Sequence, residues 1–462
     1  MAQIVVKFGG SNLKSPADIE RSARVAASYQ EPIVVVVSAF SGVTDTLIRG
    51  IEESLRSEKA PEILCSELEK LHETALGLHI NSETEIASVR EVLKQRLEQL
   101  KKLLTSIHYI GAVPDFTQDQ ILSSGERLSA PIVAAVLRKV GLPAREILPE
   151  TMGLMTDGCF GNAAADLAVC ADRLPSMLSP EITPVIPGFY GITREGKLAI
   201  FGRGGSDYTA SVIARSIQAA SLDLWKDVDG FLSGDPRIIH NSRTISYVSY
   251  DEAAELSYFG AKVLHPRTVE PLEQDRIPIR VMNVEKFEGT IRPYTIVGPV
   301  KDERVTLKSV AATEDMGIVR LEGPGVGSRR GILARATTGL DAAGINISSV
   351  ITSQTSINLL FRKRDLSRAL AVLRSESVPT VVAVESLEDI AIIAAVGEGL
   401  RHRPGLAAGV FGALAEAGVN VLLTQAGASP VAMYVIIRKE DKSKALQAIH
   451  ETIQQGVTAW GK

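Results

Sequence analysis

Short, mostly apolar runs alternate along the chain with stretches whose apolar residues recur at helical spacing. Ile4–Phe8 is the first run and ends at Gly9-Gly10; Ile33–Val37 is the second and ends in Ser38-Ala-Phe-Ser-Gly42. Between them, Asp18–Ser28 sets Ile19, Ala23, Ala26 and Ala27 at helical spacing. Apolar strands that alternate with helices predict a parallel sheet covered on both faces. Pro184–Ile186, Leu198–Phe201, Leu222–Trp225 and Ile277–Met282 are further strand candidates. Each of the first three runs into a Gly-containing turn, where loops at strand C-termini build sites.

The texture changes between residues 50 and 110, which read as one long helical stretch. Val89, Leu93, Leu97, Leu100 and Leu104 follow a 4-4-3-4 spacing, with Glu, Lys, Gln and Arg elsewhere on the wheel. That is an amphipathic helix, either packed on the core or serving as a lid or interface arm. Gly289–Asp302 has the Gly, Pro and polar content of a domain boundary. Beyond it lies an internal repeat: Gly331, Leu340, Ala343, Gly344 and Asn346 recur as Gly405, Leu414, Ala417, Gly418 and Asn420, each 74 residues on. In both copies a loop containing Arg and Gly enters a small-residue helix that stops at a glycine before an apolar strand. A period this long excludes a solenoid and predicts two copies of a small βαβ-type domain.

Composition narrows the function classes. Of 462 residues, 45% are hydrophobic and 23% charged, as in a folded globular protein. A formal net charge of −4 supplies no basic field, so neither nucleic acid nor a membrane surface is an expected partner. Cys65, Cys159 and Cys170 form no CxxC pair and predict reduced thiols. The N-terminal residues lack the pattern of a signal peptide, and the expected location is cytoplasmic. His72, His79 and His108 lack ligand-like spacing and read as structural.

Chemistry concentrates in a few turns. In Lys7-Phe-Gly-Gly-Ser11, a lysine near a strand end precedes two glycines, which suits close approach of an anion. Phe201-Gly-Arg-Gly-Gly-Ser-Asp207 sets Arg203 inside a triple-glycine turn, a fit for a carboxylate or phosphate. Ser206 and Asp207 then open a helix over 208–218, with Asp207 placed to hold a metal or to orient a lysine. Trp225–Arg237 is an acidic, turn-rich loop whose Asp227, Asp229 and Asp235 read either as metal ligands or as turn residues. Phe259–Pro266 carries a second lysine, Lys262, beside glycine, and a His265 that reads as structural.

Taken together, KFGGS, VSAFSGVT at 37–44, SSGERLSA at 123–130, FGRGGSDYTA, KDVDGFLSGDPR and YFGAKVLHP resemble the aspartokinases of the amino-acid-kinase superfamily. The repeat after residue 310 resembles their paired ACT domains. The resemblance implies an α/β kinase domain over residues 1–300, an αβα sandwich with a largely parallel sheet. Two α+β (βαββαβ) ACT-like domains follow at 310–385 and 390–462. It implies transfer of the γ-phosphoryl group of ATP, with Mg²⁺, to the side-chain carboxylate of L-aspartate. By the same resemblance, Lys7 and Lys262 contact phosphates, while Gly9, Gly10 and Ser11 bring backbone close to them. Asp207 holds Mg²⁺ or fixes Lys7. Arg203 grips the α-carboxylate of aspartate, Glu126 its α-ammonium, and Ser38 and Ser206 the bound substrate. Lys226, Asp227, Phe231, Leu232, Asp235 and Arg237 line the nucleotide pocket. Gly327, Ser328, Gly331, Asn346 and Ile347 are the expected contacts for a regulatory lysine or threonine, in a homodimer or higher oligomer built through the ACT domains. Alternative readings are a catalytically weak amino-acid sensor or a kinase for another carboxylate. The chain departs from the family at Asn12, where Ser or Thr is usual, at Lys226, where Thr is common, and at Leu232, where an aromatic residue stands.

Overall fold

The computed structural model describes residues 3–80, 82–260, 263–301, 307–375 and 380–455. Its contacts separate two compact units. The first holds most of residues 3–300, and the second gathers Leu232–Arg243, residues 255–260 and the described residues from Lys301 onward.

The first unit carries β1 (Ile4–Phe8), β2 (Ile33–Val37), β3 (Ala144–Glu146), β4 (Thr183–Pro187), β5 (Tyr190–Ile192), β6 (Leu198–Ile200), β7 (Ser221–Lys226), β8 (Tyr247–Ser249), β9 (Ile279–Asn283) and β10 (Thr295–Gly298). Eight of these form one sheet in the order β3-β4-β2-β1-β7-β9-β10-β8. It is parallel except that β10 runs against β9. Every residue of β1 and β2 is buried, as expected of strands in a covered parallel sheet, and the one charged residue among them is Lys7. Each such Val or Ile contributes about 1.5–3 kcal/mol on burial. Successive side chains of β7 point to opposite faces. Asp223 and Trp225 meet Tyr29, at the end of the helix Pro16–Ala27, through bonds of 2.6 and 3.0 Å. Lys226, on the other face, points to the helix Gly205–Ser216. Asp223 is wholly buried but fully engaged, by Tyr29, by Ser221 and by two nitrogens of Arg280.

Three sequence expectations change. Residues 43–110 form three helices, Val43–Arg56, Ala60–His79 and Glu83–Ile110. In the last of these, all five residues of the 4-4-3-4 stripe are buried in the main core, so it is a packed helix and not an arm. β6 leaves the main sheet and pairs antiparallel with β5. The expected boundary segment contributes β10, because Ile296 and Val297 continue the sheet beside β9.

The second unit holds β11 (Ser309–Thr313), β12 (Met316–Glu322), β13 (Ser349–Thr352), β14 (Ser356–Arg362), β15 (Ala383–Leu387), β16 (Ile390–Val396), β17 (Val421–Ala426) and β18 (Ala432–Arg438). They form two four-stranded sheets, β13-β14-β12-β15 and β11-β16-β18-β17. The first is a βαββαβ domain with the helices Ile332–Ala342 and Lys363–Ser375. The second takes β11, which precedes the first domain in the chain, as the neighbour of β16. A boundary drawn at residue 310 therefore cuts through a strand of the second domain. The repeat is reproduced in backbone geometry. Gly331 and Gly405 begin matching helices at φ 83° and 89°, and Gly344 and Gly418 follow them at 65° and 67°. These left-handed values suit glycine, since an L side chain there costs about 1–2 kcal/mol.

Candidate active site

β1 and β7 are parallel neighbours, with Lys7 opposite Leu224 and Phe8 opposite Trp225. Lys7 and Lys226 therefore lie on one face near the C-terminal ends of adjacent strands. The helix Gly205–Ser216 crosses that face and brings Asp207 in its first turn, where the helix dipole favours an acid. Gly204 makes the entry turn at φ 71°, and a Cβ there would stand 2.3 Å from that of His265. Only glycine fits.

Lys7 Nζ lies 2.5 Å from Asp207 Oδ1, and Lys226 Nζ lies 2.7 Å from Asp207 Oδ2. Both members of the first pair are buried. Burial alone would raise the Asp207 carboxyl, but Lys226 and Lys7 together hold it far below the usual carboxylate range. Burial draws the Lys7 ammonium down, Asp207 opposes that, and Lys226 lowers it further. Glu126, from the helix Asp115–Lys139, completes the cluster. Its Oε1 accepts from Ser206 Oγ at 3.3 Å, while its buried Oε2 has no partner among the described residues. Burial pushes Glu126 up to about 7 against the pull of the Ala39 backbone, Ser206 and Lys7. A buried acid with one open oxygen is suited to a cationic ligand group.

The structure thus brings together Lys7, Glu126, Ser206, Asp207 and Lys226. Ser38 follows β2 and its carbonyl accepts from Ser129 Oγ at 2.8 Å, on the same helix as Glu126. Arg203 is exposed in its glycine turn. Lys262 lies outside the described residues. Gly9 is correctly placed, but its N–H is taken by Asn12 Oδ1 at 3.1 Å. Asn12 is thereby a support for the turn, and Gly9 N–H is not the free donor that the resemblance implied. Gly10 and Ser11 form the single 3₁₀ turn that follows.

The acidic loop divides. Asp227 pairs with Lys14 at 3.3 Å, and Asp229 with Asn283 and Lys286 at 2.8 and 2.6 Å. Phe231 is fully buried, and its N–H donates to Thr295 Oγ1. Leu232, Asp235 and Arg237 belong to the second unit. There the Leu232 carbonyl accepts from Ser309 Oγ at 2.7 Å, Ser233 Oγ meets His450 Nε2 at 2.8 Å, and Asp235 pairs with Arg237. Among the described residues no three His, Cys, Asp or Glu side chains gather as a metal site. The expectation that Asp207 holds Mg²⁺ does not fit this geometry, because both oxygens already face ammonium groups. His265 caps a short turn by accepting from Arg267 N–H, and His72 is buried against Phe40, so both are structural. The three cysteines are free. Gly327, Ser328, Gly331 and Asn346 are exposed around the start and end of the helix Ile332–Ala342, and Ile347 is half-buried.

Comparison with known proteins adds an independent line. Residues 2–283 match the model of the amino acid kinase family, and residues 393–453 match an ACT domain. Aspartokinase 1, chloroplastic, of Arabidopsis thaliana is 32% identical over 97% of this chain and 79% of its own length. The chain belongs to the aspartokinases. The bifunctional aspartokinase/homoserine dehydrogenase of Haemophilus influenzae is 27% identical, and this chain spans 56% of its length. The crystal structure of E. coli aspartokinase III with aspartate and ADP (R-state) matches with a TM-score of 0.83 at 26% identity. That match covers 97% of this chain and 99% of the other. The structure of the same enzyme with lysine and aspartate (T-state) matches with a TM-score of 0.78.

Lys226 was expected only in the wall of the nucleotide pocket, and its pairing with Asp207 is the contact the sequence did not reveal. Its signal was its position as the last residue of an apolar strand, two residues beyond the register partner of Lys7.

Proposed function

We propose that this chain is an aspartate kinase that transfers the γ-phosphoryl group of ATP to the side-chain carboxylate of L-aspartate, giving 4-phospho-L-aspartate. The observation that carries the reading is the buried Lys7–Asp207–Lys226 cluster beside Glu126, within a chain that matches aspartokinases over nearly its whole length. The nucleophile is an ionised carboxylate and needs no general base. Its oxygen bonds to the γ-phosphorus as the bond to the β–γ bridging oxygen breaks, and the electron pair leaves with ADP. Catalysis is then alignment and charge neutralisation. Lys7 supplies positive charge to the transferring group from a position fixed by Asp207. Glu126 takes the substrate α-ammonium on its open oxygen, with Ser206 orienting the carboxylate. Arg203, exposed between the left-handed Gly202 and Gly204, takes the α-carboxylate, and Lys262 adds a phosphate contact. Ser38, Gly10, Ser11 and Asp227 complete the substrate and nucleotide walls. Magnesium enters this reading only as part of the nucleotide substrate.

The ACT-like domains make the activity subject to feedback. Lysine is the favoured effector, since the related E. coli enzyme has been solved with lysine. Gly327, Ser328, Gly331, Asn346 and Ile347 are its proposed contacts, in a homo-oligomer paired through these domains. A cytoplasmic setting, in keeping with three free thiols, belongs to the same reading. Among the described residues no helix is long and apolar enough to cross a membrane.

The test is kcat/KM for aspartate, glutamate and N-acetylglutamate with ATP. Aspartate should lead by at least 100-fold. A preference for either other acid would reassign the substrate, and folded protein without turnover on any of them would favour the sensor reading.

A further inference from the structure

Asp207 has an ammonium group on each oxygen, Lys7 on Oδ1 and Lys226 on Oδ2. The second comes from the last residue of β7, a strand that lies beside β1. We propose that Lys226 is a further phosphate-directed cation of the transfer centre, beside Lys7, and that Asp207 is a positioning residue for both of these lysines, not a metal ligand.

Three observations support this. An ammonium group has three N–H donors, and each lysine gives one to Asp207. Two donors on each remain for a phosphate oxygen. The Lys226 side chain is 15% exposed against 6% for Lys7, so Lys226 stands on the more open side of the shared carboxylate. Glu126 is the other acid of the cluster, and once it engages the substrate ammonium, two lysines against Asp207 leave one positive charge to face a polyanion. Meanwhile a magnesium ion prefers carboxylate, water and phosphate oxygens in octahedral array. A cation drawn to Asp207 would have to displace an ammonium and then lie beside it. No group of three acid, His or Cys side chains among the described residues offers another seat.

The proposal rests on the kinase reading above, and its test separates the two. Lys226→Met and Lys226→Thr should lower kcat about 100-fold, the loss typical of one preorganised charge-stabilising group. KM for aspartate should stay within threefold, and Lys226→Arg should recover activity to within tenfold of wild type. Calorimetric titration with ADP in EDTA should show at least tenfold weaker binding to Lys226→Met. Mn²⁺ alone, added to nucleotide-free wild-type protein, should show no site that Asp207→Asn removes. Turnover by Lys226→Thr within threefold of wild type would overturn the cationic role. A Mn²⁺ site abolished by Asp207→Asn would overturn the positioning role. If wild-type protein has no aspartate kinase activity, the functional reading fails, while the ADP and Mn²⁺ titrations still decide the roles of Lys226 and Asp207.

Discussion

In the first unit, Lys7 and Asp207 are charged, buried and held by each other and by Lys226. In the second, Gly331 and Gly405 stand exposed at the heads of matching helices, and what repeats is backbone geometry. A buried charge is costly unless paired, so the positions of its partners are constrained. An exposed glycine turn imposes only a local dihedral, which tolerates different side chains around it. The contrast explains why one region can perform a reaction that depends on position, while the other can change its ligand by changing its loops.

The largest effect expected is on chemistry in the first region. Lys7→Ala should lower kcat/KM at least 100–1,000-fold, about 3–4 kcal/mol of transition-state stabilisation, in a coupled ADP-release assay. Its fold should survive, because Asp207 keeps Lys226. Asp207→Asn is the sharper structural test. It leaves Lys7 buried without a counter-charge, and urea unfolding should show about 3–5 kcal/mol of lost stability.

Glu126→Gln tests the acid end of the cluster. Burial raises the folded-state value from 4.5 to about 7, so folding binds the proton more tightly than the unfolded chain does. The wild-type contribution is fully present below 4.5 and is lost as pH rises through about 7. At pH 8 the variant should therefore be more stable by up to about 3 kcal/mol, a gap that closes as pH falls toward 4.5. Thermal melts across that range measure it, and an equal gap at both ends would refute the assignment. In the second region, Gly331→Ala and Gly405→Ala should each cost about 1–2 kcal/mol through the left-handed turn. Basal turnover without effector should stay within twofold, which would place these turns outside the transfer chemistry.

Much of this was legible because it is local. Mostly apolar runs marked β1, β2, β4 and β7, and the glycine offsets of the repeat are matched by backbone angles that agree within several degrees. The grouping of Lys7, Glu126, Ser206 and Asp207 followed from motif resemblance. What escaped was set by long-range pairing. The bond between Lys226 and Asp207 depends on β1 and β7 lying side by side, which strand patterns do not specify. The insertion of β11 into the second small domain depends on a pairing across about 80 residues, from Ala311 to Ala394. The assignment of Leu232, Asp235 and Arg237 to the second unit follows from Ser309 and His450, residues that no motif connects to that loop.

The most direct test of the central claim is hydroxylamine trapping of the acyl phosphate formed by the full chain with ATP and L-aspartate. The account predicts aspartyl hydroxamate in step with ADP release, at a rate that falls at least 100-fold in Lys7→Ala. Folded wild-type protein that binds ADP yet yields no hydroxamate would contradict it.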